Sequence, residues 1–253
     1  ETHMLQIVLS GCNGRMGKAL AALAADAEGM VIAAGVDVVK TPSGSFPVYE
    51  TPAEYTGPAD VVVDFSHVSA LPALLEYCKK RSLPLVLCTT GQSEEQKAQI
   101  REAAKEIPIF MSANMSVGVA LVKDLVRRAA QVLNGYDIEI IEKHHNQKLD
   151  APSGTALMLA DAAAEASGGK KYVYDRHAVR KKREPGEIGI SSVRGGTIIG
   201  EHEVLFAGYN EVITVSHSAQ SRELFAAGAL RAARFIAGKP AGLYSMDDLV
   251  ASL

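Results

Sequence analysis

The stretch LQIVLSGCNGRMGKALAAL, residues 5–23, constrains the fold of this chain more than any other. An apolar run of strand length ends at Gly11. Glycines follow at Gly14 and Gly17, and apolar residues then recur at helical spacing through Met16, Leu20, Leu23 and Ala27 to a stop at Gly29. A buried strand that turns this sharply into a helix aims the helix's first N–H groups at the turn, where they suit a phosphate. The glycines read G-x-x-G-x-x-G, with Asn13 in the slot where a second glycine would let a pyrophosphate approach.

Further strand-like runs occur at Met30–Asp37, Ala59–Ser66, Leu83–Gly91 and Ile107–Asn114. A helix is predicted from about Ser69 to Lys80, where Pro72 fits only the first turn. Another starts after Ser93, which stands at capping-box spacing from Gln96. Strand and helix alternate, which means a parallel sheet with crossover helices. An acid is expected about 20 residues beyond the glycines, and Asp37 closes the second strand. Strand, glycines, helix, strand and acid in register predict dinucleotide binding. Asp37 suits the two ribose hydroxyls of NAD and would repel a 2′-phosphate. Val38 and Val39 follow it, and only Arg15 and Lys40 are nearby cations, so NADH is the favoured cofactor, with NADPH possible.

After residue 115 the pattern changes. Residues 116–135 read as a long amphipathic helix, with Val117, Leu121, Val122, Leu125 and Val132 as its apolar stripe. Residues 136–145 form a strand, and a helix follows from Pro152 to Ala166. Three strand-like runs between Glu187 and Ser218 predict antiparallel or mixed sheet. Ser221 starts a closing helix that stops at Gly238 and Pro240, and Ser245 with Asp248 repeats the capping-box spacing. The expectation is an α/β chain with a parallel-sheet domain and a second, α+β domain.

Bulk properties exclude several classes. The 253 residues are 47% hydrophobic and 22% charged with a net charge of −3, which gives no general attraction to nucleic acid or anionic membrane. The basic run Arg176–Arg183 reads as a solvated loop. Three cysteines, Cys12, Cys78 and Cys88, show no paired spacing, which fits a reducing cytoplasm. No run of about 18 apolar residues suggests a membrane span. Glu1–His3 read as a tag remnant ahead of Met4, with no secretory pattern after it.

The densest chemistry lies in EKHHNQKLDAPSGTA, residues 142–156. Adjacent His144 and His145 would point to opposite faces of a strand, so sharing one metal is awkward, and no second ligand pair stands nearby. A solvated strand end is the plain alternative. The reading that uses all the residues makes APSGT a helix start, with Pro152 set for its first turn. Backbone N–H groups of Gly154 and Thr155, with the hydroxyls of Ser153 and Thr155, would then hold a carboxylate. A histidine and Lys148 beside it supply positive charge and titratable protons. That suits reduction of a C=N or C=C bond in an anionic substrate. Cys88–Gly91 and Ser112–Met115 end strands where a nicotinamide pocket or ordinary loops are equally well accommodated.

EIIEKHHNQKLDAPSGTA (residues 139–156), with GCNGRMG, CTTG, ANMSVGV and VRGGTIIGEHEV elsewhere in order, resembles the 4-hydroxy-tetrahydrodipicolinate (dihydrodipicolinate) reductase family across essentially the whole chain. The resemblance implies an enzyme of lysine and diaminopimelate biosynthesis acting on a small dicarboxylate. It implies His144 as proton donor or acceptor and Lys148 as proton donor. His145 would bind substrate, and Gly154 with Thr155 would grip a carboxylate, with Ser153 beside them. Gly11, Cys12, Asn13, Gly14, Arg15 and Met16 match the cofactor loop, and Asp37 the ribose-binding acid. Cys88, Thr89 and Thr90, and Ser112, Ala113, Asn114 and Met115, match the two nicotinamide loops. Val38 stands where some members carry an arginine after the acid. The implied fold is a Rossmann domain, 1–115 with 218–253, whose C-terminal helices pack back, plus a substrate-binding domain, 116–217, whose mixed sheet builds a homotetramer. No metal, nucleic acid or membrane partner is implied. A catalytically silent NAD-binding sensor, or another two-domain reductase such as a semialdehyde enzyme with a cysteine nucleophile, would share the glycine loop without needing the histidine–lysine stretch.

Overall fold

A computed structural model describes residues 3–42, 44–168 and 171–253; Glu1 and Thr2 of the supposed tag remnant lie outside these. The chain divides into two compact units, Glu1–Ser116 with Glu223–Leu253, and Val117–Arg222.

The first unit opens with β1 (Leu5–Ser10), α1 (Arg15–Asp26) and β2 (Met30–Val36). Next come a short β3 (Val48–Tyr49) and β4 (Val61–Asp64). Then follow α2 (Leu71–Arg81), β5 (Leu85–Leu87), α3 (Glu94–Ala103) and β6 (Pro108–Met111). Val61, Val62 and Val63 are wholly buried, as a parallel strand covered on both faces requires. Pro72 sits in the first turn of α2, where a missing N–H costs nothing. Both bonds of the Ser93–Gln96 capping box form at the start of α3.

The second unit holds α4 (Val117–Val132), β7 (Asp137–His144), α5 (Gly154–Ala166), β8 (Lys171–Val173), β9 (Glu187–Arg194), β10 (Glu201–Gly208) and β11 (Glu211–Ser218). Its sheet runs β11-β10-β7-β9-β8. β7 lies parallel to β9 and antiparallel to β10, so the sheet is mixed. Its core joins Val126 of α4, Leu159 of α5 and Ile140, Ile190 and Phe206 of the strands. A fully buried side chain of this size contributes about 1.5–3 kcal/mol.

Two expectations change here, and a third gains detail. The buried face of α4 is Val119, Val122, Val126 and Ala130, while Leu121 and Leu125 are 48% and 47% exposed and Val132 is exposed. The helix carries two apolar stripes. The face with smaller side chains packs against α5, whose own buried face is alanine-rich. Pro152 is not in the first turn of α5: Ser153 is the N-cap, and Pro152 precedes it after a cis peptide bond. The basic run is, as expected, a loop of mostly exposed residues, and two of its arginines anchor it. Arg176 pairs with Glu139 and the buried Glu187, and Arg183 pairs with Asp137 and Glu139.

The chain then returns to the first unit through α6 (Glu223–Ile236), β12 (Gly242–Tyr244) and α7 (Met246–Ala251). β12 joins the edge, and the completed parallel sheet has the order β12-β6-β5-β4-β1-β2-β3. A Cβ on Gly228 of α6 would lie 1.7 Å from the Met115 carbonyl oxygen, so α6 lies directly against that loop.

Candidate active site

The glycine turn of the first unit is shaped by close backbone approach. Gly11 has φ +75° and donates its N–H to the Val36 carbonyl at 2.8 Å. A Cβ there would strike Phe65 and Ser66 backbone at 2.7 Å. On Gly17 a Cβ would sit 2.1 Å from the Gly11 carbonyl oxygen, so α1 packs onto the turn only without a side chain. Gly14 is the exposed N-cap of α1, and its missing Cβ would meet only the Gly11 carbonyl oxygen, at 3.4 Å.

Asp37 reaches the same place. One carboxylate oxygen accepts from Asn13 N–H at 3.0 Å and the other from Val39 N–H at 3.0 Å. Gly11, Gly14, Asp37, Val38, Glu50 and Ser66 are among the residues that line a cleft of about 490 Å³. Its described lining contains Asp37 and Glu50 but no lysine or arginine. Lys40 is outside that lining but pairs with its Glu50, at 3.2 Å, and lies near Glu54. A bare helix N-terminus beside a fixed carboxylate fits a dinucleotide: pyrophosphate on the amides, ribose on the acid. Cys12 takes part through its backbone alone. Its side chain is fully buried against Gly35, and burial pushes its thiol up to about 11. Arg15 is exposed and Met16 half-buried, and neither lines the cleft.

Cys88–Thr90 follow β5, which pairs with β4, and Ser112–Met115 follow β6, the next strand out, and they too lie outside the lining of this cleft. Asp64, unread in the sequence, organises this end. It is buried at the end of β4 and accepts from Ser66 N–H and Oγ and from Thr89 Oγ1. Burial pushes its carboxyl up, against the hydrogen bonds from Ser66, Ser10 and Thr89. Gln92 holds the Thr89 carbonyl at 2.7 Å, and Asn114 Oδ1 accepts from Ser116 N–H at 2.8 Å. Burial, then Asp64, pushes the Cys88 thiol well up, which opposes a thiolate nucleophile of the semialdehyde-enzyme kind.

The second unit assembles the histidine–lysine stretch. Alternation along β7 puts Glu142 and His144 on its covered face. Glu142 has no solvent exposure. Its Oε1 accepts from Arg194 Nη2 at 2.8 Å and Ser153 N–H at 3.1 Å. Its Oε2 accepts from Arg194 Nη1 at 2.8 Å and lies 2.6 Å from His144 Nδ1. Burial pushes the Glu142 carboxyl up, but bonds from Arg194, His144, Ser192 and Ser153 outweigh it and hold it at about 2. Arg194 also donates to the Asp150 carbonyl at 2.7 Å, which ties down the loop carrying Lys148. Lys148 Nζ lies 2.8 Å from Asp150 Oδ1. His145 Nε2 is 3.5 Å from Arg222 Nη2.

Gly154 opens α5, and a Cβ there would meet nothing within 4 Å, so its backbone faces open space. Thr155 follows in the first turn. The Ser153 hydroxyl, expected at the carboxylate, is turned inward: it accepts from Ala156 N–H at 3.1 Å and lies 2.8 Å from His202 Nε2. Burial, and then His144 beside it, pushes His202 down to about 4. Glu142, Arg194 and His202 escaped the sequence reading. The one local signal was period two, Ile138-Ile140-Glu142-His144, which puts the glutamate in the buried register.

Among the described residues no three His, Cys, Asp or Glu converge to hold a metal ion. No helix of the described residues is long and apolar enough to cross a membrane. The first unit holds the cleft at the glycine turn and the second the histidine–lysine stretch beside a helix start, and both units match known proteins. The sequence profile described as "Dihydrodipicolinate reductase, N-terminus" matches residues 5–115, and "Dihydrodipicolinate reductase, C-terminus" matches 118–250. A 4-hydroxy-tetrahydrodipicolinate reductase of Caldanaerobacter subterraneus is 55% identical over 248 residues, 98% of each chain. One of Clostridium novyi is 49% identical over 250 residues, 98% of this chain and 99% of that one. A dipicolinate-bound dihydrodipicolinate reductase from a Paenisporosarcina species superposes with a TM-score of 0.82 at 26% identity, covering 97% of this chain and 99% of that one. With both units matched along their length, the chain belongs to the dihydrodipicolinate reductase family.

Proposed function

We propose that this chain catalyses the NAD(P)H-dependent reduction of 4-hydroxy-tetrahydrodipicolinate (dihydrodipicolinate) to tetrahydrodipicolinate, in the diaminopimelate route to lysine. The observation that carries the reading is the second-unit constellation: His144 and Lys148 on a stretch held by Glu142 and Arg194, running into the bare Gly154 start of α5. A sensor that only binds NAD has no use for it.

A bound nicotinamide cofactor supplies the hydride. This chain's residues do the rest. Gly154 and Thr155 receive one substrate carboxylate at the N-terminus of α5. His145, with Arg222 beside it, adds positive charge and donors. Lys148 or His144 delivers the proton that completes addition across the double bond. Gly11–Met16 and Asp37 hold the nucleotide, and Cys88–Thr90 and Ser112–Met115 border the nicotinamide. NADH is favoured over NADPH, since Asp37 and Glu50 line the cleft with no lysine or arginine among its described residues.

The first unit is the nucleotide domain. The second binds substrate and builds a homotetramer in the cytoplasm. In support, α4 and α5 cover one face of the mixed sheet, while Ile141, Val193, Leu205 and Val212 lie on the other, with Val193 and Val212 exposed. The deciding assay is loss of NADH absorbance with the product of dihydrodipicolinate synthase as substrate. Turnover is expected. NADH binding without turnover would sink the reductase reading in favour of a sensor or a different substrate.

A further inference from the structure

A carboxylate only accepts hydrogen bonds, so every group it meets must present a proton. Glu142 accepts from Arg194 twice and from Ser153 N–H, and His144 Nδ1 stands at 2.6 Å from its Oε2. Nδ1 must therefore carry the hydrogen, in the neutral ring as in the charged one. The ring's other nitrogen, Nε2, points toward Gly200, where a Cβ would approach to 3.1 Å. A side chain at 200 would crowd that nitrogen, and glycine leaves it clear.

His202 packs edge-on to His144, with ring centroids 5.2 Å apart, yet it does not compete. The Ser153 hydroxyl, which accepts from Ala156 N–H, lies 2.8 Å from His202 Nε2 and engages that nitrogen. His202 Nε2 is thereby held by Ser153 and not by His144.

We propose that Glu142 is a positioning residue that locks the tautomer of His144, making Nε2 the atom that exchanges a proton with substrate, with Gly200 keeping the space at Nε2 open. This rests on the reductase reading for what the proton does. When His144 donates, the Nε2–H bond breaks, its electron pair stays on nitrogen and the proton passes to substrate. Glu142 keeps its charge and its hold on Nδ1–H throughout. Solvent restores the proton after product leaves.

The test reads the proton directly. In histidine-labelled protein, 15N NMR distinguishes protonated from bare ring nitrogens, and the signal lost in His144→Ala assigns the residue. In the neutral ring we expect Nδ1–H with bare Nε2. In Glu142→Gln the single carbonyl oxygen goes to Arg194 and the amide –NH2 faces Nδ1. The proton then moves to Nε2, and kcat falls roughly 10²–10⁴-fold, the scale of a lost general acid–base group, with NADH affinity unchanged. Gly200→Ala, which leaves the Glu142 bonds alone, should keep the Nδ1–H tautomer and lower kcat more than KM rises. A wild-type ring protonated at Nε2, a Glu142→Gln enzyme of normal kcat, or one that loses activity while keeping Nδ1–H would each overturn the proposal. If Glu142→Gln does not fold, the wild-type tautomer and the Gly200→Ala kinetics still decide. Should the wild type fail to turn over the substrate, the reductase reading falls, while the tautomer result still stands or falls by itself.

Discussion

Replacing Arg194 by alanine isolates the bond network that the second unit is built around. Arg194 fills one position on each Glu142 oxygen at 2.8 Å and holds the Asp150 carbonyl at 2.7 Å. Glu142 has no solvent exposure, so the substitution leaves a buried carboxylate without its guanidinium partner. Breaking such a pair from one side costs about 3–5 kcal/mol. The whole donor set, with His144, Ser192 and Ser153 beside Arg194, sets an upper scale for that loss. Holding Glu142 at about 2, against about 4.3 for a free glutamate, corresponds to about 3 kcal/mol at 1.4 kcal/mol per tenfold.

The pH dependence has a definite sign. The carboxyl is depressed in the folded state, so its stabilisation is complete above the unfolded value and is lost as pH falls toward about 2. In Arg194→Ala the depression shrinks, so the gap between wild type and variant is widest near neutrality and narrows in acid. The two units need not unfold together, so the readout is amide hydrogen exchange in β7 and β9. About 3 kcal/mol means exchange faster by roughly a hundredfold at pH 7. A change below about 1 kcal/mol, or a gap that does not close in acid, would refute the network. Glu142→Gln with Arg194→Met should recover part of the loss, because no unpaired charge is left inside.

Three further outcomes are expected. Lys148→Ala should lower kcat by ~10²–10⁴-fold with NADH affinity unchanged, measured by steady-state kinetics and NADH titration, and near-normal kcat would remove Lys148 from proton delivery. Gly17→Ala would drive a Cβ to 2.1 Å from the Gly11 carbonyl oxygen. It should lower stability by about 1–3 kcal/mol, with NADH binding weakened in calorimetric titration; unaltered binding would mean that the turn does not seat the nucleotide. Glu50→Gln should raise the NADPH-to-NADH ratio of kcat/KM by about 1 kcal/mol, roughly fivefold, and a wild type that itself prefers NADPH tenfold would refute the acid-lined cleft as the basis of choice.

The parts legible in the sequence are those that use local chemistry. Strand β1, the glycine turn and α1 follow from spacing, because steric limits on Gly11 and Gly17 act within a few residues. The Ser93–Gln96 and Ser245–Asp248 capping boxes are likewise short-range. The buried face of α4 was not legible. Leu121 and Leu125 make a stripe as regular as Val122 and Val126, and hydrophobicity alone favours the leucines. The choice was made by α5, where Ala156, Ala160 and Ala163 let a helix of small side chains come close. Arg194 and His202 stand some fifty to sixty residues beyond Glu142 in the chain, and only sheet register joins them: His202 opposes Glu142 on one side of β7, and Arg194 opposes His144 on the other. No local pattern carries that information.

The two buried carboxylates at strand ends show what a shared position leaves undetermined. Asp64 and Glu142 are equally enclosed and both accept from serines, yet burial wins at Asp64 and loses at Glu142. The difference lies in the donors. Asp64 receives hydroxyls and an amide, whose dipoles stabilise an anion only partly, whereas Glu142 receives a guanidinium that brings a full charge in a fork matched to both oxygens. Each outcome suits its surroundings. Beside the loops after β5, Asp64 holds Thr89 and Ser66 by hydrogen bonding. At His144 the acid must stay charged, because only a permanent acceptor keeps the proton on Nδ1 at every stage of a turnover. A neutral Glu142 could donate to Nδ1 and reverse the ring. On the tautomer proposal above, Arg194 therefore acts on His144 at one remove, by keeping Glu142 charged.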